Sequence, residues 1–163
     1  MNKDKVFLAE ILAMMLFVST GAFAANEFAQ DVNWTPEKMM EFVDLPNKGT
    51  LTTGFFDCMA KHAKHKPYQY CLPNEVQFQD KLVQNLAVEY YNKLPAKQKK
   101  TFEKQQKDFI SFRSSRCSWT DDPKLVRNPE KITDGTVDKL KCLLDATVTR
   151  RLDLEKLTPE NNE

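Results

Sequence analysis

Apolar residues in this chain recur at intervals of three and four, the spacing that places side chains on one face of an α-helix. The clearest pattern lies between residues 76 and 94, and similar patterns follow at 102–117 and 137–154. No run alternates cleanly between apolar and polar residues with the period of two that is typical of strands. Glycine, which β-hairpin turns favour, occurs only four times in the chain. The pattern therefore predicts an all-α fold.

Prolines and helix-capping residues divide this pattern into about five helices. Thr35 followed by Pro36 is typical of a helix start, because threonine caps the helix and proline fits its first turn. Pro67 is predicted to end the second helix, and Pro73 is predicted to begin the third. The predicted helices cover residues 35–43, about 50–65, about 73–94, about 96–117 and about 136–157, and together they form a small helical bundle.

The first 24 residues show the pattern of a secretory signal peptide. Lys3 and Lys5 precede the apolar run ILAMMLFV, and Ala22-Phe23-Ala24 provides small residues for cleavage, which we expect after Ala24. No other apolar run is long enough to cross a bilayer, so no membrane anchor is expected. The rest of the chain is expected to comprise an N-terminal extension with a short helix (25–49), a main helical domain (50–157) and a frayed tail (158–163).

All four cysteines lie beyond the predicted signal peptide. An even number of cysteines in an exported protein indicates two disulfides. Three pairings are possible. We favour Cys58 with Cys71 and Cys117 with Cys142, because each of these pairs closes a short local segment. Each bond would contribute about 3 kcal/mol by restricting the unfolded chain.

The charge of the chain argues against a nucleic-acid partner. Its formal net charge is +1, whereas nucleic-acid-binding domains are usually clearly basic. Residues 96–107, AKQKKTFEKQQK, are rich in lysine. We interpret this run as a solvated helix face, with contact to an anionic surface as the alternative.

The sequence does not predict an enzyme or a cofactor site. It contains neither a G-x-S-x-G nucleophile motif nor a glycine-rich phosphate loop. Cys58, His62, His65 and Cys71 are residue types that bind zinc, but their spacing matches no common zinc finger. Export also favours oxidation of the two thiols, so no metal site is expected here.

Two sequence motifs lie in the last two predicted helices. Residues 109–117 read FISFRSSRC, and residues 142–154 read CLLDATVTRRLDL. They resemble the signature of the LprI-type lysozyme-inhibitor domain family, although Phe109 stands where tryptophan is more usual. That family also has an earlier cysteine pair, which Cys58 and Cys71 match. The matching motif residues are Phe109, Phe112, Arg113, Cys117, Cys142, Thr147, Arg150 and Leu154.

Arg113 is expected to have a structural role. It precedes Cys117 by one helical turn and lies on the same helix face. We expect its stem to pack against Phe109 and Phe112, while its guanidinium clamps loop carbonyls or an aspartate.

The loop predicted at residues 118–135 is the candidate partner-binding surface. It is long for a connection between helices, and it carries Trp119, Asp121 and Asp122. An exposed tryptophan could anchor a partner while the two acids steer it towards the loop. The alternative is that Trp119 folds back into the core, since tryptophans are usually largely buried.

The resemblance implies an exported, non-enzymatic binding protein of the periplasm or medium. Such a protein would block a peptidoglycan hydrolase, either lysozyme or another cell-wall hydrolase, by occupying its cleft. One alternative is a periplasmic immunity protein against a delivered toxin, and another is an envelope structural module. The sequence indicates neither the identity of the partner nor the oligomeric state.

Overall fold

Five α-helices and no strand form within residues 33–119 and 128–158, the part of the chain that the computed structural model describes. The expected all-α fold is therefore confirmed. The predicted signal peptide and the tail after Thr158 lie outside the described residues. The helices are α1 (Pro36–Phe42), α2 (Thr53–Lys61), α3 (Pro67–Lys93), α4 (Ala96–Arg116) and α5 (Asp134–Leu157), with 3-10 turns at Lys48–Thr50 and Pro129–Lys131.

Threonine caps begin three of the five helices. The Thr35 hydroxyl accepts a hydrogen bond from the Lys38 backbone N–H at the start of α1, as the Thr35-Pro36 pair predicts. Thr52 caps α2 in the same way, and Thr133 caps α5, which begins at Asp134, two residues before its predicted start. Each cap satisfies a backbone donor that would otherwise have no partner in the first helical turn.

The predicted start of α3 was wrong, because Pro67 begins this helix instead of ending the preceding one. Lys66 adopts a left-handed conformation (φ 49°) just before the helix, and Pro67 occupies its first position. Pro73 lies inside α3, where it is buried together with Leu72. A proline there removes one hydrogen bond of the helix. The buried contacts of this segment, and the bond of Cys71 to Cys58, hold the turn in helical form.

The core lies mainly between α3 and α5, which pack against each other more extensively than any other pair of described elements. Helix α2 packs on α3, and α1 packs on α2. The apolar residues that recur along α5 are buried, as their period predicts. Completely or almost completely buried apolar side chains are those of Met39, Val43, Phe56, Met59, Leu72, Ile132, Leu144, Val148 and Leu154.

Helix α4 packs much more lightly than α3 and α5. Phe102 is its one buried residue, and it forms a cluster with Val83 of α3 and Leu154 of α5. The Tyr90 ring meets the Phe102 ring edge-on, with the ring centroids 5.1 Å apart, a favourable geometry for an aromatic pair. Most of the α4 surface is therefore left to solvent. None of the described helices is long and apolar enough to span a bilayer.

Candidate functional site

Both predicted disulfides are present, and they fasten different parts of the bundle. Cys58 of α2 is bonded to Cys71 of α3, with their Cα atoms 5.8 Å apart. Cys117, directly after α4, is bonded to Cys142 of α5, with their Cα atoms 5.6 Å apart. The second bond is important for the candidate site, because it fixes the end of the lightly packed helix α4 to the core helix α5.

Trp119 lies two residues after this second disulfide and is held at the end of α4. Ser118 adopts a left-handed conformation (φ 49°), which turns the chain away from the helix axis. The Trp119 backbone N–H then donates a hydrogen bond to the Ser114 carbonyl oxygen (2.9 Å). The Trp119 side chain is half-buried, so part of its ring is accessible while the rest contacts the protein.

The other end of the candidate loop is also fastened to the bundle. The 3-10 turn Pro129–Lys131 packs against α3, and the following residue, Ile132, is buried in the core. The expected steering acids Asp121 and Asp122 lie outside the described residues. The described parts of the loop therefore consist of two fixed ends, with Trp119 at the first of them.

Arg113 connects three helices through its guanidinium group. Its Nη1 atom donates hydrogen bonds to the carboxylate of Asp80 on α3 and to the hydroxyl of Thr147 on α5 (2.9 Å). An aspartate is thus its partner, one of the two possibilities expected from the sequence. The motif residues Arg113 and Thr147 meet directly, although they are 34 positions apart in the chain.

Phe109 provides the aromatic surface beside Arg113. The centre of the Arg113 guanidinium lies 5.6 Å from the Phe109 ring centroid, and that of Arg150 lies 5.7 Å from the same ring. Arg150 also donates from Nε to the side-chain oxygen of Gln106 (3.3 Å). Burial lowers the pKa of the Arg150 guanidinium, which nevertheless stays cationic because arginine is so basic.

Phe112 does not take the expected place against the arginine stem. Its side chain is 59% exposed, so the aromatic contact to Arg113 comes from Phe109. Leu154, the last residue of the motif, is fully buried in the cluster with Phe102. The described motif residues therefore hold α4 against α3 and α5, with the exception of Phe112.

A second polar network, which the sequence reasoning missed, lies deeper in the bundle. Arg151 donates from Nη1 to the side-chain oxygen of Gln79 (2.7 Å) and to the Thr50 carbonyl oxygen (3.2 Å). Gln79 donates in turn to the carboxylate of Glu75 (2.8 Å). Glu75 accepts two further bonds from Thr52, at 3.2 Å from its backbone N–H and at 2.6 Å from its hydroxyl. This network connects α5, α3 and the start of α2.

The sequence does contain a signal for both networks. Glu75, Gln79 and Asp80 are neighbours of Val76 and Val83 on the buried face of α3, where an apolar residue is expected. Glu75 is only 3% exposed and Gln79 is 0% exposed. Polar residues in such positions require partners, because an unpaired buried carboxylate or amide is costly. Their presence therefore indicates buried cations from another helix.

The zinc-ligand types near Cys58 do not form a ligand set. Cys58 and Cys71 are bonded to each other, so neither offers a thiolate. The His62 ring stacks on Tyr70, with the ring centroids 4.5 Å apart and the planes nearly parallel. No group of three or more metal-ligating side chains occurs in residues 33–119 and 128–158.

Comparison with protein families settles the relationship suggested by the motifs. The family model for the lysozyme inhibitor LprI matches residues 58–154. This chain belongs to the LprI lysozyme-inhibitor family. The match runs from the first cysteine to the motif leucine, Leu154, and it includes both disulfides. A search of curated proteins found no match, and a search of solved structures also found none.

The LprI match covers only part of the helical bundle. Helices α3 and α4 and most of α5 lie within the matched residues, whereas α1 and the first half of α2 lie before them. Yet Thr50 and Thr52, which precede the match, contact Arg151 and Glu75 inside it. The segment from Thr50 to Asp57 is therefore part of the same folded structure as the LprI segment.

Proposed function

We propose that this LprI-family protein is exported and blocks a peptidoglycan hydrolase by occupying its cleft. The family is one of inhibitors, and inhibition by occlusion requires neither a catalytic group nor a cofactor. The two disulfides suit the oxidising conditions of the periplasm or the medium. Trp119 is the central contact in this proposal, with Asp121 and Asp122 beside it in sequence.

The observation that carries the proposal is the position of Trp119. The residue follows a disulfide, its backbone is hydrogen-bonded to Ser114, and its ring is half-buried. A tryptophan held in this way loses little conformational freedom when a partner covers it, which favours affinity. Partly exposed aromatic residues of this kind often dominate the energy of protein interfaces.

Charge would act locally in this interaction. With a net charge of +1, the whole protein does not strongly attract a basic hydrolase over a long distance. Asp121 and Asp122 would instead pair with basic residues near the partner's cleft after the first encounter. Such pairs mainly increase the rate of association and fix the orientation of the partner.

The proposal is tested by measuring inhibition and complex formation with lysozyme. The mature protein at micromolar concentration should slow the lysis of cell-wall suspensions and should co-elute with lysozyme in gel filtration. Trp119→Ala should weaken both effects at least about tenfold, as expected for a hot-spot aromatic residue. Trp34→Ala is the matched control, because Trp34 is also half-buried but lies outside the matched LprI segment.

The acidic residues are tested separately from the tryptophan. Replacing Asp121 and Asp122 by asparagine should slow association with lysozyme while leaving the melting temperature unchanged. A variant with Asp57→Asn and Asp108→Asn has the same charge change at exposed positions of α2 and α4, and it should bind normally. Absence of inhibition by the wild-type protein would exclude lysozyme as the target. A pull-down from periplasm and medium would then distinguish a toxin or another hydrolase from a structural partner.

A further inference from the structure

Four lysines form a straight row along the outer face of α4. Lys97, Lys100, Lys104 and Lys107 follow one another at intervals of three, four and three, which places them on one side of the helix. The row is about 15 Å long, since each helical residue advances the chain by about 1.5 Å. It lies on the side of α4 opposite to buried Phe102. We call these four residues the lysine row.

The charges of the lysine row are not neutralised within the described structure. All four side chains are exposed, and none forms an ion pair with a residue in 33–119 or 128–158. Glu103 is spaced to pair with Lys100 or Lys107, but it accepts a hydrogen bond from the Tyr91 hydroxyl instead (2.8 Å). Lys99, which is outside the row, lies over the Tyr91 ring at 4.6 Å.

The position of the lysine row is unfavourable for the stability of α4. The first turn contains no acidic residue, and Pro95 at the N-cap position provides no side-chain hydrogen bond. Lys97 and Lys100 lie near the N-terminal end of the helix, where the helix dipole favours negative charge and disfavours lysine. Helix stability therefore does not explain why lysines occupy this end.

We propose that the lysine row docks the protein on the surface of an anionic phospholipid bilayer. Basic clusters on an exposed helix bind acidic lipid headgroups, and long lysine stems can lie along apolar surface while the ammonium reaches a phosphate. Ile110, three residues after Lys107 and therefore next to it on the helix surface, is 54% exposed. A bilayer interface would cover part of this apolar surface, whereas a soluble polyanion would leave it in water.

The contact requires little rearrangement of the protein. Because α4 has one buried residue and packs lightly on the bundle, its whole outer face is available along the row. Trp119 lies beyond the C-terminal end of α4, away from Lys97 and Lys100. Docking through the lysine row would thus leave the proposed hydrolase contact open, and the inference does not depend on the proposed function.

Vesicle co-sedimentation at low salt tests the inference. The wild-type protein should bind vesicles of phosphatidylcholine mixed with phosphatidylglycerol, should not bind vesicles of phosphatidylcholine alone, and should dissociate as salt is added. Replacing all four lysines of the row by glutamine should reduce binding on the order of 600-fold, since each lysine near an anionic surface contributes about fivefold. Circular dichroism checks that the variant is folded.

A control variant distinguishes the effect of the lysine row on vesicle binding from the effect of the net charge. Glutamine at Lys61, Lys66, Lys131 and Lys139 removes four exposed lysines outside α4 and changes the net charge by the same amount. This variant should retain most of the vesicle binding. Equal loss in the two variants would overturn the inference, as would absence of wild-type binding to the acidic vesicles. Binding to polyglutamate without binding to vesicles would also overturn it and would indicate an acidic protein partner.

Discussion

Arg113 and Asp80 are hydrogen-bonded across the α3–α4 contact, although they are 33 positions apart in the chain. The same guanidinium reaches Thr147 on α5, so one side chain joins the three long helices. Because α4 is otherwise lightly packed, this contact, the Phe102 cluster and the Cys117–Cys142 bond are its main attachments to the bundle.

Removing the carboxylate partner of Arg113 should destabilise the protein. Asp80→Ala leaves a largely buried guanidinium without its ion-pair partner, and we expect a loss of about 2 kcal/mol in the free energy of unfolding. The loss is below that of a fully buried pair, because about a third of the Asp80 side chain is exposed. In a domain of this size it lowers the melting temperature by about 6 °C, as measured by circular dichroism.

Two comparisons make this expectation specific. Arg113→Ala should also lower the melting temperature, and the double variant should lose less than the sum of the two single losses. Glu89→Ala breaks an exposed pair with Lys93 on the same helix and should cost less than about 1 kcal/mol. An unchanged melting temperature for Arg113→Ala would contradict the structural role assigned to this arginine.

Adjacent arginines on α5 should differ strongly in their effect on stability. Arg151 is 8% exposed and bonds to Gln79, so Arg151→Leu leaves the buried Gln79–Glu75 pair without its cation. We expect a loss of about 3 kcal/mol, whereas Arg150→Leu should cost about 1 kcal/mol because Arg150 is only partly buried. Urea denaturation measures both values. Equal losses, or a larger loss for Arg150, would show that the deeper network contributes little.

The two disulfides should have similar effects on stability and different effects on binding. They close segments of 13 and 25 residues, and the loss of either should cost about 3 kcal/mol. Replacing Cys117 and Cys142 by serine also frees the chain next to Trp119. The serine variant of Cys58 and Cys71 leaves that region fastened.

Binding of lysozyme is therefore measured at a temperature where both serine variants remain folded. The variant that lacks Cys117 and Cys142 should bind at least about tenfold more weakly than the other variant. Without this disulfide the chain around Trp119 must be ordered when the partner binds, and this ordering costs free energy. Equal affinities of the two variants would show that the Cys117–Cys142 bond does not contribute to partner binding.

Tyr68 should make the protein less stable at alkaline pH. Burial raises the pKa of the Tyr68 phenol above its ordinary value near 10, and a hydrogen bond with the Asp44 backbone only partly opposes this effect. The raised pKa in the folded state means that the stabilisation is complete below pH 10 and is lost as the pH rises through the folded-state pKa. Tyr68→Phe should flatten the decline of unfolding free energy above pH 10. An unchanged slope in urea titrations would contradict this.

Local sequence signals predicted much of this fold. The Thr35-Pro36 start, the helix break at Leu94-Pro95 and the apolar face of α5 all depend on residues close in sequence, and all are confirmed. The preference for local cysteine pairing was also correct. The same local rules failed between Pro67 and Pro73, because either proline is compatible with a helix start and only packing decides between them.

The partners of the buried arginines could not be predicted from local signals. The sequence places Asp80, Glu75 and Gln79 near the inner face of α3, but it does not give the angles at which α4 and α5 cross α3. The packing of α4 on α3 pairs Asp80 with Arg113, and the packing of α5 on α3 pairs Gln79 with Arg151. The exposure of Phe112 depends on how α4 is rotated about its own axis. Few apolar contacts fix that rotation, so the sequence did not predict it.

The contacts of Thr50 and Thr52 have a practical consequence for anyone who shortens the gene. An expression fragment that begins at Cys58, the first residue of the family match, would lack Thr50 and Thr52. The Thr52 hydroxyl and backbone N–H donate to Glu75, and the Thr50 carbonyl oxygen accepts a hydrogen bond from Arg151. The fragment would also lack Phe55 and Phe56, whose side chains are buried in the core. The smallest self-sufficient version of this inhibitor-family protein must therefore begin no later than Thr50.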